Sequence, residues 1–339
     1  MAGGTTRYYP CVSFRPHFAA AFLLVGAPVC RAQVPDSLKA SIEASKTSDT
    51  MTRRRAAEDL GQSRNPAAVP ALEALLKDSE AVVRATACDA LGLQRSRASV
   101  PKIATVLSSD ADPRVRQAAA TAFVYIGDVA AAGPLIGALK DGAAPVRHAA
   151  MRALGKLRAA GAAGPLAAML ADPDPSARKV AASSLGEIGA KESVPALSSA
   201  LSDSDAGVRS EAAKSLGLIA DPSAVPALTA ALKDKDDAVR VQAAAALAKS
   251  GDRSGLPSAY AALRSPDAAA RQQAASTVGL VGDAKGLAAL EAARAVEKNK
   301  GVQGMMDFAL AQLRARLPQI PVKPPIKKTP AKTPAKKAK

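Results

Sequence analysis

Tryptophan is absent from this chain of 339 residues, and histidine, cysteine and aromatic residues are scarce. Five of the Phe and Tyr residues crowd into the N-terminal stretch, leaving Phe123, Tyr125, Tyr260 and Phe308 for the remainder. That is too few aromatic planes for a platform that stacks nucleic-acid bases or sugar rings. Past the N-terminal stretch, His148 and Cys88 are the only residues of their types, so neither a zinc-type ligand set nor a disulfide framework can form. The strict apolar–polar alternation of a half-buried strand is missing throughout. Without strands, the glycines cannot form a strand-to-helix phosphate loop, and no cofactor is expected. Nor is there an apolar run of the ~20 residues that span a bilayer.

Charge is unevenly spread. The chain carries a formal net charge of +16, but its two ends account for most of it. Residues 1–32 hold three arginines and no acid, with an apolar run from Phe18 to Val29 and a small residue at Ala32. This pattern predicts a secretory signal cleaved after Ala32, and hence a periplasmic or secreted protein. If that segment is removed, Cys11 and Cys30 leave with it and Cys88 stands alone. The C-terminal segment, residues 318–339, contains the run "PVKPPIKKTPAKTPAKKAK", with seven lysines and no acid. Proline blocks helix and strand while like charges repel, so an extended, solvated tail is expected there.

Between the ends one phrase recurs. Arg53, Arg84, Arg116, Arg147, Arg178, Arg209, Arg240 and Arg271 follow one another at 31 residues, once at 32. Three residues after each arginine stands alanine, and seven after it Leu60, Leu91, Phe123, Leu154, Leu185, Leu216, Leu247 or Val278. Those offsets mark one face of a helix, here named B. A glycine eight residues after the arginine in six copies, and a second at offset eleven in Gly127, Gly189 and Gly282, are read as the stop of helix B. A helix A then opens on Asp or Ser with proline, as in "DPSAVPALTAALKD", where Asp221 caps and Pro222 takes the first position. A further proline, Pro226 in that copy, falls where it would bend a longer helix. One hairpin of this size cannot bury its own apolar face. The expected fold is therefore all-α, an α-solenoid of about eight to nine stacked hairpins over residues 33–317. "DSLKASIEASK" is expected to supply the first A helix and "GMMDFALAQLRARL" a closing one.

The phrase "VRSEAAKSLGLIADPSAVPAL" and its copies resemble HEAT repeats, in particular the short bacterial HEAT-like type also found in phycobilin lyases. That resemblance implies B helices lining a concave surface. Copies depart from the pattern at Val124 and Ala248, where the glycine is missing, and at Ser265, where an acid is missing. Six residues before the arginine lies an aspartate in six copies: Asp78, Asp110, Asp141, Asp172, Asp203 and Asp234. Opposite charges at one repeated offset predict a structural ladder, each guanidinium forking onto a carboxylate or loop carbonyl of its own or the adjacent layer. A catalytic group need not occur eight times.

Chemistry is otherwise thin. Cys88 stands where most copies have alanine and reads as a buried spacer. His148 has no second ligand near it in sequence, and acids such as Asp172 and Asp174 are better explained as caps. The solvent stripe of B, at offsets one, five and nine, contains Gln117, Thr121 and Tyr125, then His148, Arg152 and Lys156, then Lys179 and Lys214. This is expected to be a mildly basic groove, anchored by Tyr125, for a protein or peptide partner. The function read from these features is a non-enzymatic exported scaffold whose lysine tail meets an anionic envelope polymer or membrane surface. Two alternatives remain open: a nucleic-acid-binding HEAT-like protein, which the leader and the aromatic deficit disfavour, and a bilin-lyase-like enzyme subunit, which only the resemblance suggests.

Overall fold

Each repeat folds as a hairpin because its apolar side chains recur at helical spacing on both arms, and its charged and proline-rich residues gather at the turns. A computed structural model of the chain describes residues 34–317. The leader, its cleavage point after Ala32 and the tail at residues 318–339 lie outside the described residues.

Among the described residues there are eighteen α-helices and no strand. The A helices are α1 (Asp36–Ala44), α3 (Val69–Leu75), α5 (Val100–Ser109), α7 (Ala132–Ala138), α9 (Ala163–Ala168), α11 (Val194–Ala200), α13 (Val225–Ala231), α15 (Leu256–Ala262) and α17 (Ala284–Val296). The B helices are α2 (Thr50–Gln62), α4 (Ala81–Leu93), α6 (Pro113–Ile126), α8 (Ala144–Lys156), α10 (Pro175–Ile188), α12 (Ala206–Ile219), α14 (Asp237–Lys249), α16 (Ala268–Val281) and α18 (Lys300–Arg316). Every B helix packs on its own A helix and on the B helices of the neighbouring layers, so the nine hairpins form an α-solenoid.

The core follows the register of the repeat. Alanine at offset three is buried in every copy, from Ala56 to Ala274, and so is the large residue at offset seven. The first layer buries Leu38, with Ile42 half-buried beside it. In the last, α18 buries Val302, Met306, Ala309, Leu310 and Leu313, while Leu317 packs at the margin of the same cluster. Aspartates cap many of the B helices: Asp112, Asp174, Asp205, Asp236 and Asp267 each accept a hydrogen bond from a backbone N–H of the first turn.

Two expectations about turns are corrected. The glycine at offset eight does not end helix B; Gly92 and Gly186, for example, lie inside α4 and α10. It is instead the point of closest approach between layers. A Cβ added at Gly217 would stand 2.8 Å from Cα of Ala246 in the next B helix, and one at Gly186 would stand 2.7 Å from Cβ of Ser215. The chain reverses three residues later, at offset eleven, where a left-handed conformation is found at Arg64, Arg95, Gly127, Arg158, Gly189, Ala220 and Gly251. Only three of these seven are glycine, which is why the glycine pattern alone obscured the turn. Gly282 is the exception, with φ −60.

The A-helix prolines cause no bend either. Asp221 caps a short 3-10 turn, Pro222–Ala224, and the α-helix restarts at Val225, so Pro226 falls within its first turn, where no intrahelical N–H is required.

A non-glycine residue in the left-handed region is strained by about 1–2 kcal/mol. Ala220 adopts φ +52, and its N–H closes α12 onto Leu216. Ala220→Gly is expected to raise the unfolding free energy by about 1 kcal/mol, the entropy of the freer unfolded chain offsetting part of the relief. Urea denaturation checks this; a loss of stability would contradict the turn assignment.

Candidate functional site

The recurrent arginines come first, because they are the most concentrated chemistry in the chain. Arg209 shows the arrangement. Its Nε donates to Asp234 Oδ2 at 2.7 Å and its Nη2 to Asp234 Oδ1 at 3.0 Å, forking onto the next layer. Its Nη1 donates at the same time to the carbonyls of Asp203 and Ser204 in its own loop, at 2.8 and 3.1 Å. The fork onto the next layer is repeated by Arg53 on Asp78, Arg84 on Asp110, Arg116 on Asp141 and Arg178 on Asp203. Each of these aspartates also accepts a backbone N–H two residues on, as Asp234 does from Asp236. One carboxylate thus shapes its own turn and receives the preceding layer.

Three rungs differ. Arg147 approaches Asp172 at 3.5 Å without a hydrogen bond, in the layer where helix A ends in a 3-10 turn, Met169–Ala171. Arg240 faces Ser265 in place of an acid and turns back onto Asp237 of its own helix. Arg271 forks onto Glu297, and Gln303, at the arginine position of the ninth layer, donates to the Glu297 carbonyl. The repeat alignment did not single out Glu297 or Gln303: the longer glutamate and the neutral glutamine replace the usual pair. Their position six residues apart was the available signal.

Hydrogen bonding from the arginine forks holds the carboxyls of Asp78, Asp110, Asp141, Asp203 and Asp234 below the usual carboxylate range, and that of Glu297 down to about 2. Groups with depressed folded-state values stabilise the fold fully above the ordinary carboxylate value of ~4, and that contribution is lost as pH falls toward the depressed values. The melting temperature is therefore expected to hold from neutral pH to about pH 5 and to fall steeply below about pH 4. Calorimetric scans check this, and an unchanged melting temperature in acid would contradict it.

The outward face of the B helices is the second feature. Tyr125, Arg152, Lys156, Lys179 and Lys214 are exposed on it. Lys156 bridges to Glu187 of the next layer at 2.7 Å, and Lys214 pairs with Glu211 on its own helix at 2.9 Å. Gln117 and Thr121 are only half-buried, and the Thr121 hydroxyl donates to the Gln117 carbonyl. His148 departs from the expectation of an open surface residue. It is largely covered, with Nε2 3.3 Å from Asp174 Oδ2 in the turn leading into α10.

Tyr125 is not a lone anchor. Met51 and Val82, two residues before their arginines, and Leu93, Leu218 and Leu280, nine residues after theirs, are exposed large apolar side chains on the same helices. The stripe read from the sequence covered the middle layers and stopped at Lys214 in the layer of Arg209, so it missed them; apolar residues repeated at two outward offsets were the signal. Grooves open between B helices near both ends of the described layers. One of about 440 Å³ is lined by Arg54, Glu58, Val82, Asp89 and Leu93, and one of about 400 Å³ by Val241, Gln242, Gln273, Ser276 and Met305.

Cys88 is buried, and burial pushes its thiol well above the ordinary value, so the reactive thiolate is suppressed. No group of three or more His, Cys, Asp or Glu among the described residues could hold a metal ion. No described helix is long and apolar enough to cross a membrane.

No curated protein sequence matches the chain. Among solved structures, the Escherichia coli protein YibA is 20% identical, with a TM-score of 0.53 over 79% of this chain and 98% of that one. An engineered protein gives 22% identity and a TM-score of 0.48 over 82% and 89%. The complex of CpcE and CpcF of phycocyanin lyase from Nostoc gives 25% identity and a TM-score of 0.42 over 71% and 92%. The sequence profile described as HEAT repeats matches at residues 19–92, 38–122, 73–155, 100–173, 162–240 and 228–311. With the matches overlapping across most of its length, the chain belongs to the HEAT-repeat family.

Proposed function

We propose that the protein is a non-enzymatic exported scaffold that binds a protein or peptide along the outward, concave face of its B helices. The observation that carries this reading is the recurrence of exposed apolar side chains at two fixed register positions, Met51 and Val82, then Leu93, Tyr125, Leu218 and Leu280. Isolated exposed apolar residues are ordinary, but a series of them along successive helices offers a partner repeated anchor points. Between them Arg152 and Lys179 add exposed positive charge. A HEAT-repeat solenoid suits such binding because its layers extend one surface over many helices. Export rests on the leader sequence, and attachment to an anionic polymer or membrane surface on the seven lysines of the tail.

Affinity capture from the envelope fraction tests the proposal, using the full chain and a Tyr125→Ala, Arg152→Ala, Lys179→Ala triple variant. The expected result is a partner retained by the parent chain and reduced about tenfold or more by the triple variant, as for the loss of anchor residues. Retention of the same partners at the same level would overturn the assignment of this face.

A further inference from the structure

The seventh rung of the ladder lacks its acid, and the surrounding cleft can be compared with two equivalents in the same chain. Among the described residues, clefts between consecutive A helices with a ladder arginine in the wall include one of about 580 Å³ at Arg84, one of about 520 Å³ at Arg240 and one of about 560 Å³ at Arg271. In the first and third, the arginine is held by a carboxylate that also lines the cleft, Asp110 and Glu297 respectively. In the second, Ser265 stands in that place, and the lining carboxylate that reaches Arg240 is Asp237 of the arginine's own helix, not an acid of the next layer.

Ser265 retains half of the missing acid's role. Its Oγ accepts the N–H of Asp267 at 3.2 Å, as Asp110 accepts that of Asp112 at 2.9 Å, so the turn is kept while the anion is gone. Arg240 still donates through Nη1 to the Asp234 carbonyl, at 2.6 Å. Its Nη2 turns to Asp237, an exposed residue of its own helix, and its Nε makes no hydrogen bond among the described residues. The Arg240 side chain is 32% exposed, against 17% for Arg84. Arg264 adds a second guanidinium to the lining, and Leu232, Val241, Pro257 and Ala262 make the walls apolar.

An exposed pair such as Arg240 with Asp237 is worth little, whereas a two-point guanidinium–carboxylate fork is strong and directional. The volume falls within the range of small-molecule sites, which combine apolar walls with a few placed polar groups.

We propose that this cleft binds a small organic acid with a short apolar body, its carboxylate occupying on Arg240 the place that Asp110 occupies on Arg84. The acid supplies from outside the anion that the other rungs carry in the chain. The site joins the first turns of α14 to the A-helix and turn residues around it, and it uses none of the exposed apolar residues, nor Arg152 or Lys179, assigned to the partner face.

The test is calorimetric titration of the full chain with hexanoate, with hexan-1-ol and acetate as probes lacking the charge and the longer apolar body. Saturable binding of hexanoate is expected, with each control weaker by about tenfold or more. Ser265→Asp returns the carboxylate to the chain. It is expected to weaken hexanoate binding by about tenfold or more while raising the melting temperature, which separates occupation of the site from damage to the fold. Arg240→Gln gives a second loss of binding. The proposal is overturned if hexanoate fails to saturate the parent chain, if Ser265→Asp or Arg240→Gln binds it unchanged, or if hexan-1-ol binds equally well. N-acetyl-aspartamide binding more tightly than hexanoate would assign the fork to a partner's acidic side chain and overturn the small-acid reading.

Discussion

Arg209→Leu is expected to lower the unfolding free energy by about 3–5 kcal/mol, measured by urea denaturation, because it strips a nearly buried carboxylate of its partner. Asp234 is only 11% exposed, and Arg209 itself 6%. The substitution removes the two bonds of the fork and the two that Arg209 donates to its own loop, leaving the Asp234 carboxylate with only the N–H of Asp236 and the two loop carbonyls without their guanidinium donor. Arg209→Lys keeps the charge but cannot present two parallel donors while also reaching the loop, so it recovers only part of the loss. A change within about 0.5 kcal/mol would place this arginine among ordinary surface residues.

The second large effect concerns the helix interface seven residues on. Leu216 is 1% exposed, and truncating it to alanine is expected to cost about 2–5 kcal/mol through lost burial and the cavity left behind. Leu218, two residues further along α12, is 49% exposed, and the same truncation there is expected to change stability by no more than about 0.5 kcal/mol. Urea denaturation of the pair separates the core face of helix B from its outward face. Equal losses would contradict the assigned register. The contrast also supplies a stable variant for binding studies, since Leu218 is one of the exposed apolar residues on the proposed partner face.

The layered helical fold was legible in the sequence because one period imposes the same offsets on every copy, and alanine at offset three and a large apolar residue at offset seven repeat without interruption. Turns were harder. The left-handed position is occupied by arginine at residues 64, 95 and 158 and by alanine at 220, residue types that give no local signal for such a backbone. The glycine at offset eight was conspicuous for another reason: a neighbouring helix passes too close for a Cβ. Both features belong to packing between layers, and a composition pattern cannot distinguish a glycine needed for its backbone from one needed for its smallness.

The charged residues were legible in kind but not in direction. Repetition indicated that arginine and aspartate interact, whereas only the structure reveals that Arg53, Arg84, Arg116, Arg178, Arg209 and Arg271 each bridge their own loop and the following layer together. Substitutions within that scheme, Glu297 for aspartate and Gln303 for arginine, escaped because side-chain reach compensates for a change of residue type. His148 was misplaced for a related reason: the turn before α10 brings Asp174 over it. The apolar residues of the outward face had been judged copy by copy, and their significance lies in recurrence along successive helices.

The claim on which this account rests is that the repeated guanidinium–carboxylate forks couple one layer to the next. A double-mutant cycle on Arg209 and Asp234, each changed to leucine singly and together and followed by urea denaturation, measures that coupling. The account predicts an interaction of about 1.5–3 kcal/mol, the double variant being far less damaged than the sum of the single ones. Single losses that add to within about 0.5 kcal/mol would contradict it.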